Sequence, residues 1–121
     1  MSHNIDIISF CKILTDLTNK NKCNWKQTSH AFRDRLDFST GYVEITQYKE
    51  TEVIKKSYAI DFYSNDGVQY VPYVAEKGID AELFVAFGDL YKAIWSYYER
   101  IRNEKISSFL DEIMEQTSKK N

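Results

Sequence analysis

An α+β fold is expected of this chain, with a helix at the N-terminus, a three- to four-stranded antiparallel β-meander in the middle and a long helix at the end. Three observations carry the expectation. Apolar residues recur at helical spacing at both ends of the sequence and not between them. The stretch between is rich in β-branched and aromatic residues, which suit a pleated, half-buried surface. Its strongest turn signal, Asp66-Gly67, separates two runs of strand character. The 121 residues suit a single domain that spans the whole chain.

The first helix is expected over about Asn4 to Asn19. Ile7, Phe10, Cys11, Leu14 and Leu17 form one stripe, with Ile8 and Ile13 off it. Asn19-Lys20-Asn21-Lys22 is a polar stop, and Asn tolerates the left-handed backbone of a helix end. The sheet is expected within Trp25 to Ala75. An early strand holds either Trp25 or the run from Ala31 to Leu36. Tyr42–Tyr48 follows the turn signal Ser39-Thr40-Gly41, and Ser57–Tyr63 places Tyr58, Ile60 and Phe62 on one face. Asp66-Gly67 supplies the positive backbone angles of a tight hairpin, so Val68–Val71 is the expected returning strand. Pro72 has no N–H for a ladder and ends that strand or places it at an edge.

Gly78-Ile79-Asp80 breaks the chain and offers an N-cap for the last helix, with Glu82 at its positive end. Leu83, Phe87, Leu90, Ile94, Tyr97 or Tyr98, and Ile101 keep one face. Beyond Asn103 the apolar residues Ile106, Phe109, Leu110 and Ile113 lie about 110° further round, at 100° per residue. One straight helix cannot turn both stripes to one core. Either it kinks or breaks near Asn103, or the second stripe is an oligomer interface, with a second copy of the chain as the nearest candidate. Gln116 to Asn121 are expected to fray.

Nine Tyr, seven Phe and two Trp are more aromatic surface than an ordinary core needs, and tyrosine hydroxyls favour rims and interfaces. The net charge of −2, without a long basic run, argues against a duplex nucleic-acid binder. No apolar run approaches a membrane span. The first residues lack the basic and apolar regions of a signal peptide, and the cytoplasm of a bacterium or an infected host cell is the expected location. Cys11 falls on a helical stripe and Cys23 in a polar stretch, and no disulfide is expected between them.

Chemistry is sparse. His3 sits at a chain end. His30 lies near Thr28, Ser29 and Asp34 without a local pattern of nucleophile and oriented base. Cys11, Cys23 and His30 are too scattered for zinc, the four glycines form no phosphate loop, and Asp61 and Asp66 do not match a calcium loop. No catalytic residue, metal or cofactor is therefore assigned. Binding candidates are cations beside aromatics. Arg33 and Arg35 share one face of a strand and form a pair of forks suited to a phosphate or carboxylate, unless Asp34 or Asp37 pairs with them. Trp95, Tyr98 and Arg102 follow one another along the last helix. Tyr70 and Tyr73 flank Pro72 in an apolar aromatic segment.

The N-terminal helix, the Lys/Asn turn leading to Trp in Asn21-Lys22-Cys23-Asn24-Trp25, the Asp-Gly hairpin and the Leu90-Tyr91 helix together resemble a class of small bacterial and phage helix–meander–helix proteins. The resemblance covers most of the chain, implies a phage or mobile-element origin and assigns no site residues. Three functions follow as expectations. The first is a non-enzymatic homodimer that occupies a protein partner or sequesters a small anionic ligand. The second is an anti-defence sponge for a cyclic-nucleotide or ADP-ribose-type immune signal, with Tyr and Trp on bases and arginines on phosphates. The third is an enzyme, which would need a cleft uniting His30 with a carboxylate.

Overall fold

The structure is a computed structural model that describes residues 6–119, the last by its backbone alone. His3 and the first residues of the expected opening helix lie outside the described residues. The order is α1 (Ile7–Asn19), β1 (Lys26–Gln27), β2 (Arg33–Phe38), β3 (Gly41–Tyr48), β4 (Ser57–Ser64), β5 (Tyr73–Glu76) and α2 (Ala81–Lys119). The five strands pair in sequence order, each antiparallel to the next. The α+β class holds, with one more strand than expected: the two-residue β1.

Helix α1 starts where Asp6 accepts the Ile8 N–H at 3.0 Å and the Ser9 hydroxyl at 2.9 Å. It ends in a Schellman pattern. Lys22 N–H reaches back to the Leu17 carbonyl, Asn21 N–H reaches the Thr18 carbonyl, and Asn21 takes φ 59. Cys11, Leu14 and Thr18 are buried, with Ile7, Ile8, Phe10 and Leu17 packed at the margin, while Ile13 faces solvent. Trp25 folds back under this end, its indole N–H donating to the Thr18 hydroxyl at 2.9 Å. The turn carries Cys23 inward with it, so both cysteines are buried free thiols. Burial pushes the Cys11 thiol up to about 12.

Successive side chains along the strands point to opposite faces of the sheet. Leu36, Val43, Ile45, Tyr58, Ile60 and Ala75 turn to the inner face, where Phe87, Leu90 and Ile94 of α2 complete the core. Helix α2 lies on β4 and β5, and α1 packs against α2. At the start of β3, Gly41 lets the strand approach β4 closely: a Cβ on Gly41 would collide with the Tyr63 carbonyl oxygen.

Two expectations about the chain path are corrected. At Ser64–Gly67 only Gly67 takes a positive φ, 84°, and Asp66 does not. Gly67 N–H bonds the Ser64 carbonyl and Ser64 N–H bonds the Val68 carbonyl, a three-residue loop closed by a glycine bulge. Such a bulge bends the chain. Val68–Val71 accordingly forms no strand: it makes one bridge, Tyr63 to Gln69, and leaves Val71 87% exposed. The returning strand is β5, which begins after Pro72 and forms the sheet edge, where a missing N–H costs nothing.

The second correction concerns α2, which runs unbroken through Asn103 and on through Lys119. It carries no Pro, and no Gly after Gly88, so nothing interrupts its hydrogen bonds. Its packed first half supplies the nucleus, and each added residue extends it. Ala86, Phe87, Leu90, Tyr91, Ala93, Ile94 and Tyr97 are buried, whereas every residue from Ile101 to Ser118 is exposed. Arg100 marks the exit. It donates to the Thr18 carbonyl (3.0 Å) and the Asn21 side chain (2.8 Å), at the negative end of α1.

Candidate functional site

Arg33 and Arg35 do share the outer face of β2, opposite Thr46 and Glu44 of β3. Their guanidinium groups are already engaged. Arg35 lies 3.7 Å above the Tyr42 ring and bonds Asp37 at 2.7 Å, and Lys26 reaches the same carboxylate at 2.7 Å. Tyr42 in turn stacks on Tyr63 at 4.6 Å. Hydrogen bonds from Lys26 and then Arg35 hold the Asp37 carboxyl below its usual range. Arg33 donates to the Thr46 hydroxyl at 3.0 Å. An anion at this face would compete with Asp37.

The same alternation turns Asp34 inward, where the sheet buries its carboxylate against α2. Asp34 is 1% exposed. One carboxylate oxygen accepts the Tyr98 hydroxyl at 2.8 Å, and the other is buried with no hydrogen-bond partner. Burial pushes the Asp34 carboxyl above its ordinary value, against the opposing pull of Tyr98. The Tyr98 phenol is raised by burial and by its bond to Asp34. Trp95 meets Tyr98 edge to face at 5.7 Å and stays 38% exposed.

Above Asp34 opens a cleft of about 350 Å³ between the β1–β2 loop and Trp95. Thr28 holds the loop, its hydroxyl donating to the Arg33 carbonyl at 3.0 Å and accepting the His30 N–H at 3.2 Å, and Phe32 takes φ 63, a strained value for a bulky residue. A second cavity of about 440 Å³ adjoins it across Gln27 and Trp95, with Tyr98, Glu99 and Arg102 along it. Trp95, Tyr98 and Arg102 thus converge as expected, Arg33 borders the first cavity, and Arg35 lies elsewhere. His30 also lines the first cavity, so the cleft joins it to a carboxylate. Among the described residues, no hydrogen bond links its imidazole to Asp34 or to a hydroxyl. Tyr70 and Tyr73 line a separate apolar cleft of about 560 Å³ with Phe10, Phe38 and Phe62, at the turn end of the sheet. Ile106, Phe109, Leu110 and Ile113 lie exposed on the projecting half of α2.

Asp34→Asn keeps an acceptor for Tyr98 and removes the buried charge. A carboxyl whose folded pKa is raised contributes stability that is full below its ordinary 3.8 and is lost as pH climbs through the folded value. The variant is therefore expected to melt higher than the parent at neutral pH, with the gap closing as pH falls through the raised folded value and gone below about 4. Thermal melts from acid to neutral pH read this directly.

Among the described residues no three potential metal ligands cluster, and no helix is long and apolar enough to cross a membrane. No protein-family model, curated protein or solved structure matches this chain.

Proposed function

We propose that this chain is a binding protein without catalytic chemistry of its own, and that it works as a homodimer joined through the projecting half of α2. The observation that carries the reading is the run from Ile101 to Ser118, helical and wholly exposed, with an apolar stripe along it. Ile106, Phe109, Leu110 and Ile113 follow the spacing of a coiled-coil seam, and Met114 widens it. Exposed apolar surface of this kind marks a contact site. A second copy brings the same stripe, and a two-fold axis makes such a surface complementary to itself.

The pairing leaves the sheet and the Trp95 cleft free, since Trp95 lies about 16 Å along the helix from Ile106. Those surfaces are where a partner or small ligand would be held. The resemblance to small bacterial and phage proteins supports blocking by occupancy, inside a bacterial cell, as the way such a dimer acts.

Light scattering is expected to give twice the 14.3 kDa chain mass. Phe109→Asp combined with Ile113→Asp is expected to return the chain mass with the sheet intact, because none of the core residues is touched. A parent that stays monomeric at the highest soluble concentration would refute the dimer.

A further inference from the structure

We propose that the cleft beside Trp95 is a binding site for a small organic ammonium ion, with Asp34 as its counter-ion. The site rests on observations separate from the α2 stripe.

A buried carboxylate oxygen without a partner is costly, and only a hydrogen-bond donor relieves it. Asp34 has one such oxygen, on a residue that is 1% exposed and borders the cleft, so the oxygen lies just beneath the cleft floor. The groups around it favour a cation as that donor. Trp95 walls the cleft and meets Tyr98 of the adjoining cavity at 86°, a shared aromatic corner, and aromatic faces attract alkylammonium groups. Trp95 remains partly open to an arriving ligand.

The rim does not oppose this. Arg33 borders the cleft, but its Nε bonds Thr46 on the opposite face of the sheet. Arg102 is accompanied by Glu99 in the adjoining cavity. An anion would face the buried carboxyl, and a metal ion would find no third ligand among the described residues. The cleft, about 350 Å³, is of a size that suits a small molecule. Burial biases the empty carboxyl toward its neutral form, and an ammonium ion restores its charge.

The two tryptophans make the test self-controlled. The full chain, labelled with ¹⁵N, is titrated with butylammonium chloride, with butanol and with potassium chloride. The Trp95 indole N–H resonance is expected to shift to saturation with butylammonium and not with the other two. The Trp25 indole, buried and bonded to Thr18, is expected to stay in place and report an intact fold. Asp34→Asn is expected to weaken binding about tenfold or more, the loss of one charge-assisted hydrogen bond. Three results would overturn the site: no saturable shift, an equal response to butanol, or undiminished binding by Asp34→Asn. The lone oxygen would then be covered by a water.

Discussion

Phe87→Ala is expected to cost about 3–5 kcal/mol, the range for emptying a buried phenylalanine site. Phe87 is the largest of the fully buried side chains and belongs to the one core that joins α2 to the sheet. Ala86 beside it and Leu90 one turn on are also buried, and the sheet beneath is held by backbone pairing, so the site has little freedom to collapse. Domains of this size have about 5–15 kcal/mol in total, so the variant loses a large part of its stability. Urea unfolding followed by Trp25 fluorescence reads the loss as a lower midpoint at unchanged slope. Val85→Ala, exposed on the same helix, is expected to stay within about 0.5 kcal/mol of the parent. If the two variants unfold at similar midpoints, α2 is not packed on the sheet as described.

Gly41→Ala acts by a different route and adds a single methyl group. That carbon would collide with the Tyr63 carbonyl oxygen and sit 3.1 Å from the Ser64 Cα, both backbone atoms of β4. No side chain can rotate away, so β3 and β4 must separate where Gly41 pairs with Ser64. The turn after β4 is tied to the turn before β3 through the Asn65 amide and the Ser39 carbonyl at 2.7 Å, so the disturbance reaches both hairpins. A loss of about 3 kcal/mol or more is expected, at the upper end of overpacking costs. Amide exchange near Ser64 and Gln69 should speed up more than exchange in α1. An alanine variant as stable as the parent would show that the strands are not registered in this way.

Most of the architecture was legible because it depends on local pattern. Helical stripes, the Asn21 stop, alternation in β3 and β4 and the break at Gly78 all act over a few residues. The misreadings arise where distant parts decide. Val68–Val71 has strand composition, yet the Gly67 bulge and Pro72 move the pairing to Tyr73–Glu76. The two stripes of α2 suggested a break on the premise that both must meet one core. The helix instead stays whole and carries the second stripe off the core, and the absence of Pro and Gly beyond Gly88 was the available clue.

The site was legible in half. Placing Arg33 and Arg35 outward entails that Asp34 and Leu36 point inward, and the apolar Leu36 identifies that side as the core. Asp34 was nonetheless weighed as a surface partner for the arginines and as a neighbour of His30, not as a core group, because carboxylates are seldom buried. Its actual partner, Tyr98, lies 64 residues away and no spacing rule connects them. The left-handed Phe32 was equally hidden, since nothing in its side chain favours that backbone.

Arg100 fixes where α2 leaves the body, and what lies beyond it changes how the molecule moves through water. A helix of 39 residues is about 58 Å long, whereas a compact chain of 121 residues has a radius of gyration of only about 14 Å. Drag on such a spike is out of proportion to its mass, so even a single copy would emerge early from a sizing column. Its diffusion would be anisotropic, with amides along α2 relaxing differently from those in the strands that cross beneath it.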